Sequence, residues 1–265
     1  MKLGFTSAVA YLRYMIRVVL LGYGNVGLHL HRAMVAAPTI SVLQIYNRTP
    51  ITIEGVQQTQ QLSELMDADV YIIAVPDHAV ANITAEIQKP NALVVHTSGA
   101  VAMDALSDTT RKGVVYPLQT FSKARDVSFA DIPICIEAKH ATDLDVLRNL
   151  GEALSDTVVE VSSEKRKILH LAAVFVNNFV NHMYSVAAEI SEENQIDFNL
   201  LKPLIRETAK KVDHLSPKAA QTGPAKRNDT NTIDAHLGLL KNENHKAIYT
   251  YITDAILKYH THQKN

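Results

Sequence analysis

Met15-Ile16-Arg17-Val18-Val19-Leu20-Leu21-Gly22-Tyr23-Gly24-Asn25-Val26-Gly27 is the stretch that decides the fold of this 265-residue chain. A β-branched, leucine-rich run enters a GxGxxG turn, and a helical pattern leaves it. Glycines at this spacing also occur in ordinary turns, but the strand before and the helix after are what a dinucleotide phosphate loop needs. Gly22 permits the tight turn, Gly24 lets backbone come close to a pyrophosphate, and Gly27 lets the helix pack on the strand. Within the loop formed by Gly22, Tyr23, Gly24, Asn25, Val26 and Gly27, the amides of the last three face the phosphates at the positive end of the helix dipole.

The second strand, Ile40-Ser41-Val42-Leu43-Gln44-Ile45-Tyr46, selects the dinucleotide. An NAD site normally carries an Asp or Glu beyond this strand for the ribose 2′-hydroxyl. Here Asn47-Arg48-Thr49 follows instead. The Arg48 guanidinium can pair bidentately with a 2′-phosphate, and the Asn47 amide and Thr49 hydroxyl can donate to it, so the expected cofactor is NADP. The plain alternative is that Arg48 is a solvated turn residue.

Composition points to an enzyme free of nucleic acid and membrane. A net charge of −1 offers no electrostatic footprint for nucleic acid or an anionic bilayer. No apolar run approaches the roughly 20 residues that span a membrane, so a cytoplasmic protein is expected. The one cysteine, Cys135, excludes an internal disulfide and reads as a small buried hydrophobe. Residues 1–14 make a poor signal peptide and read as an extension ahead of the domain.

Strand and helix patterns alternate to about residue 161, as in a Rossmann-type doubly wound α/β sheet. Asp69 to Pro76 is a continuous apolar run suited to a central parallel strand, and Ala92 to His96, Gly113 to Tyr116, Ile132 to Ile136 and Thr157 to Val161 read as further strands. Ligands collect beyond the carboxyl ends of such strands. The glycine loop, Asn47 to Thr49, the segment Ala74, Val75, Pro76 and His78, and the turn ending in Ser98 and Gly99 are therefore expected to converge on the cofactor. The expected division is a nucleotide-binding domain over 15–161 and a helical domain over 162–265.

The helical part opens at Ser162 or Ser163, with Glu164 in the first turn, and a helix is expected to run to about Ile190. On it His170, Asn177, Asn181 and Tyr184 share one stripe at 3.6 residues per turn, cutting through an otherwise apolar segment. Lining a cleft, the stripe would supply the catalytic residues His170, Asn177 and Asn181. An interhelical hydrogen-bond network or a dimer seam is the other reading. Arg166 and Lys167 lie near the same face one turn earlier, and Lys167 is a candidate for binding an acidic substrate, beside Ser98. Further on, Thr222-Gly223-Pro224-Ala225-Lys226-Arg227-Asn228-Asp229-Thr230 reads as a short basic loop that presents Arg227 to a carboxylate or phosphate. Helices are also expected over 199–212, 230–240 and 244–259, and their apolar faces, such as Leu200, Leu204 and Val212, suggest a homodimer through the helical domain.

His29 and His31 stand two apart on a helix, His260 and His262 lie in a polar tail, and no zinc set or Gly-x-Ser-x-Gly elbow is present. GYGNVG, NRT, AVPDHAV, HTSGA, YPLQTF and TGPAKRND, in that order over about residues 15–260, resemble an uncharacterised bacterial family that joins a Rossmann-like NADP-oxidoreductase domain to a helical C-terminal domain of unknown function. That family is similar in architecture to pyrroline-5-carboxylate reductase, ketopantoate reductase and 6-phosphogluconate dehydrogenase. The resemblance implies a 6-phosphogluconate-dehydrogenase-like helical domain, and it leaves the substrate open. The chain departs from the pattern at Tyr116, where relatives commonly have His, and at Asn228, where glycine is expected. The expected function is NADP-dependent hydride transfer to or from a small, carboxylated carbonyl or imine. The alternative is a non-catalytic NADP-binding sensor or assembly protein.

Overall fold

The computed structural model describes residues 15–261, so the reading of residues 1–14 as an extension, and His262, fall outside the described residues. The strands are Ile16–Leu21 (β1), Ile40–Tyr46 (β2), Gln57–Thr59 (β3), Val70–Ile73 (β4), Leu93–His96 (β5), Arg111–Pro117 (β6), Ile134–Ala138 (β7) and Val158–Glu160 (β8). They form one sheet in the order β3-β2-β1-β4-β5-β6-β7-β8. Pairing is parallel except between β6 and β7, where Tyr116 stands opposite Cys135 in an antiparallel ladder. The chain thus grows outward from β1 in one direction through β2 and β3, and in the other from β4 onward. The crevice between β1 and β4 is the switch point at which doubly wound sheets bind nucleotides.

Alternation along the strands explains how both faces are covered. Val18, Leu20, Val70, Ile72, Leu93 and Val95 pack into one core cluster. Their neighbours Val19, Leu21, Tyr71, Ile73 and Val94 pack into another. Successive side chains of a strand point to opposite faces, so a continuous apolar run is what a sheet buried on both sides requires. The helix α1 (Asn25–Ala36) buries Leu30 and Met34, and α3 (Ala141–Glu152) buries Leu147 and Leu150, all in the first cluster. After Pro76 a single 3-10 turn precedes α2 (Val80–Glu86). Cys135 is buried in β7, as its apolar surroundings led one to expect.

Two compact units result, one ending at Asn177 and the other beginning at Asn178. The sequence pattern changes earlier, after β8, because α4 (Ser163–Ala173) still packs on the sheet. The long helix expected to about Ile190 runs helically from Ser163 to Glu193, with a π-helical turn, Val174–Phe179, between α4 and α5 (Val180–Glu193). The second unit continues with α6 (Lys202–Lys211), α7 (Pro217–Ala220), α8 (Pro224–Arg227), α9 (Thr230–Leu239) and α10 (Glu243–Thr261). The basic loop is in fact a helical turn: Pro224 starts α8 and Asn228, at φ 54°, ends it in the left-handed region. Asparagine tolerates that conformation, which accounts for its standing where glycine is expected. Asp229 then caps α9 by accepting from the Thr232 amide at 3.2 Å. Among the described residues, Ala225 is the one buried apolar side chain of this unit, while Leu200, Leu204, Val212, Leu239 and Tyr251 stand exposed.

Candidate active site

The glycines of the loop between β1 and α1 differ in their surroundings. Gly22 adopts φ +102°, and a Cβ there would lie 2.4 Å from the Ala74 carbonyl oxygen. A Cβ on Gly27 would lie 2.1 Å from the Gly22 carbonyl oxygen, so helix and turn meet only without it. Gly24 is the opposite case, with nothing within 4 Å of where its Cβ would be. That open space stands at the start of a helix with no side-chain cap and no acidic residue in its first turn, a setting able to accept an anion.

Neighbouring strands hold the loop in place. The Gly22 amide donates to the Tyr46 carbonyl at 2.8 Å, and the Ala74 amide donates to Leu21 at 2.7 Å. Asn47 is an organiser: its Oδ1 accepts from the Tyr23 amide at 3.1 Å, and its Nδ2 donates to the Thr49 carbonyl at 2.8 Å and hydroxyl at 3.0 Å. Arg48 and Thr49 stand exposed beside it. The Tyr23 hydroxyl pairs with His31 Nδ1 at 3.0 Å, whereas His29 Nε2 meets the Ser122 carbonyl at 3.0 Å, so the two histidines serve different contacts. Burial, with Arg32 adding to it, pushes the His31 imidazole below its ordinary range.

Beyond β4, Ala74 is buried, Val75 half-buried, and Pro76 and His78 exposed. Beyond β5 the chain turns at Thr97, Ser98 and Gly99, all buried. The Ser98 Oγ accepts from the amides of Ala100 at 3.1 Å and Val101 at 3.0 Å, so this hydroxyl shapes the turn. His96 is wholly buried, and burial followed by the charge of Arg166 pushes its imidazole down to about 4. It is neutral at physiological pH.

Strand β6 and helix α4 also deliver a pair of groups that sequence reading did not join. Tyr116 Oη lies 3.1 Å from His170 Nδ1, with the two rings edge to face. A Cβ on Gly99 would fall 2.6 Å from His170 Nδ1 and 2.8 Å from Tyr116 Cζ, so the glycine of the β5 turn is what admits the pair. Burial raises the Tyr116 phenol above its usual value, which keeps it protonated. YPLQTF flagged position 116, but its partner is 54 residues away.

One turn before His170, Arg166 is wholly buried, not at the surface. Its guanidinium pairs with Glu137 of β7 and donates to the Val101 carbonyl at 2.6 Å and the Ser163 hydroxyl at 3.1 Å. Glu137 in turn accepts from the Ser163 amide at 2.9 Å and hydroxyl at 2.8 Å. The start of α4 is thereby locked to β7 and to the turn after β5, which sets the height of His170. Lys167, the candidate beside it, points to solvent.

Asn177 lies within the π turn, whose wider winding breaks the 3.6-residue spacing that aligned it with His170. Asn181 lies in the second unit and is exposed. Arg227, also in that unit, is exposed and 4.0 Å from Asp229.

Residues 132–256, from β7 through most of the helical part, match a family model described as a domain of unknown function, DUF2520. No curated protein matches the chain. Among solved structures, a Bacteroides fragilis protein provisionally named an NADP oxidoreductase is 38% identical, with 92% of this chain and 98% of that one covered at a TM-score of 0.84. A Thermotoga maritima protein is 19% identical over 94% of this chain and 100% of its own, at a TM-score of 0.72. Pyrroline carboxylate reductase of Plasmodium falciparum, solved with NADP bound, shares the fold at 12% identity and a TM-score of 0.61, with 94% and 98% covered.

Proposed function

The chain belongs to the family that the Bacteroides fragilis oxidoreductase represents, and from that premise we propose that it is an NADP-dependent oxidoreductase acting on a small, carboxylated carbonyl or imine. The observation that carries the reading is the empty space at Gly24 in front of uncapped helix amides at the β1/β4 switch point, in a sheet whose β5 turn admits the Tyr116–His170 pair at Gly99. Gly22 to Gly27 would hold the pyrophosphate. Arg48 and Thr49 would hold the 2′-phosphate, on a turn that Asn47 ties to the Tyr23 amide. Ala74, Val75, Pro76, His78, Ser98 and Gly99 would line the path toward the nicotinamide. Bound there, the nicotinamide supplies or accepts a hydride.

His170 is the residue best placed to exchange the proton, because its imidazole is partly exposed while its Nδ1 is engaged by Tyr116. Ser98, in the buried turn after β5, and Lys167, one helical turn before His170, are the candidates for the substrate carboxylate. The exposed leucines of the helical unit support a homodimer joined through that unit. Among the described residues no helix is long and apolar enough to cross a membrane. The test is NADPH oxidation by the purified protein against panels of keto acids and cyclic imines. Turnover of one substrate class establishes the reading, and none across both panels removes it.

A further inference from the structure

The geometry points to Tyr116 as the positioning residue of the proton-exchanging imidazole: its hydroxyl oxygen accepts the Nδ1–H of His170 and leaves Nε2 as the atom that gives up and regains the proton. This rests on the reading of His170 above. Three observations lead to it. Tyr116 Oη and His170 Nδ1 are 3.1 Å apart, and Tyr116 is 8% exposed. No hydrogen bond reaches Nε2 among the described residues, on a ring that is itself part-exposed. Gly99 is a glycine at the one spot where any Cβ would strike both rings, at 2.6 Å from His170 Nδ1 and 2.8 Å from Tyr116 Cζ.

The direction of the hydrogen bond follows from the chemistry required. When an imidazolium protonates the oxygen or nitrogen of a reduced carbonyl or imine, the Nε2–H bond breaks, a new O–H or N–H bond forms on the substrate, and the ring becomes neutral. Nδ1 must keep its proton throughout, so its partner has to be an acceptor, as the phenol oxygen is. A phenol held protonated by burial accepts without competing for that proton. Arg166, Glu137 and the Val101 carbonyl fix the helix that carries His170, so the ring meets Tyr116 from a set height.

Two-bond hydrogen–nitrogen correlation spectra of the ¹⁵N-histidine-labelled protein, taken under mildly basic conditions and without cofactor or substrate, read the tautomer directly. The expected result is Nδ1–H with a bare Nε2 in the wild type, and a mixture of both tautomers in Tyr116→Phe and in Gly99→Ala, which pushes the rings apart while keeping both. Tyr116→Phe is also expected to lower kcat about 10-fold, the factor that one ordinary hydrogen bond supports, with KM for NADPH unchanged. A wild-type ring protonated at Nε2, or a folded Tyr116→Phe protein with the wild-type tautomer, overturns the assignment. An Nδ1–H tautomer in a protein that oxidises no substrate would remove the enzyme reading and leave the pairing standing.

Discussion

Arg166 and Glu137 form an ion pair in which the guanidinium is wholly buried and the carboxylate nearly so. Breaking such a pair by removing one partner leaves an uncompensated buried charge, at a cost of about 3–5 kcal/mol. Arg166→Met is therefore expected to be destabilised by that amount in urea denaturation, and Glu137→Leu similarly. The double substitution removes both charges and should recover a large part of the loss. If the double variant is as unstable as the sum of the singles, the two residues are not coupled.

The glycines of the nucleotide loop should separate into two classes. Gly27→Ala forces a Cβ against the Gly22 carbonyl, and overpacking of this kind costs roughly 1–3 kcal/mol, so both stability and NADPH affinity should fall. Gly24→Ala meets no protein atom and sits at φ −76°, so its melting temperature should stay near the wild type while NADPH binding weakens about 10-fold or more. Calorimetry of both variants distinguishes the cases. Equal losses of stability would show that Gly24 is a packing residue.

Cofactor preference should track Arg48. It is exposed on the turn that Asn47 organises, with no carboxylate at the position where an NAD site carries one. NADPH is expected to bind at least ~10-fold more tightly than NADH, about the 1.4 kcal/mol of a modest charge-assisted contact. Arg48→Ala should erase the difference, as fluorescence titration would read it. Equal wild-type affinities would sink this assignment of the 2′-phosphate.

His96 makes stability depend on pH. Its imidazole titrates at about 4 in the folded protein and near 6.5 in the unfolded chain, so between those values the unfolded chain binds more protons. The associated stability is complete above about pH 6.5 and is lost as pH falls toward 4, by about 3 kcal/mol in all. Denaturation midpoints measured across that window should fall less steeply in His96→Gln. An identical slope in the two proteins would mean that other groups carry the acid sensitivity.

Much of this was legible because it is local. The roles of Gly22, Gly24 and Gly27 depend on residues next to them or one strand away, and the runs of β1, β4 and β5 announce strands buried on both faces. What stayed hidden depends on distant partners. Arg166 looks like an exposed charge at a helix start until Glu137, 29 residues earlier, is placed beneath it. Tyr116 and His170 meet across 54 residues, and no spacing rule joins a strand residue to a helix residue at that separation. β3 is three polar residues, Gln57–Thr59, with no periodicity to find. The π turn at Val174–Phe179 inserts into a sequence whose polar spacing fits an ordinary helix, which is why Asn177 was aligned with His170 on paper.

His170 separates the enzyme from the sensor. The residues proposed to hold the phosphates and adenosine lie on the loops after β1 and β2, so His170→Ala should leave NADPH binding nearly intact. Turnover should fall about 10²-fold or more, the usual contribution of a positioned proton donor. Were the imidazole only a structural partner of Tyr116, the same change would leave a buried hydroxyl unpaired, lower stability by about 1–3 kcal/mol, and spare the activity of each folded molecule. Melting temperature, cofactor affinity and turnover measured together on this one variant decide the matter. A lowered melting temperature with an unchanged rate would assign the protein to the non-catalytic NADP-binding class.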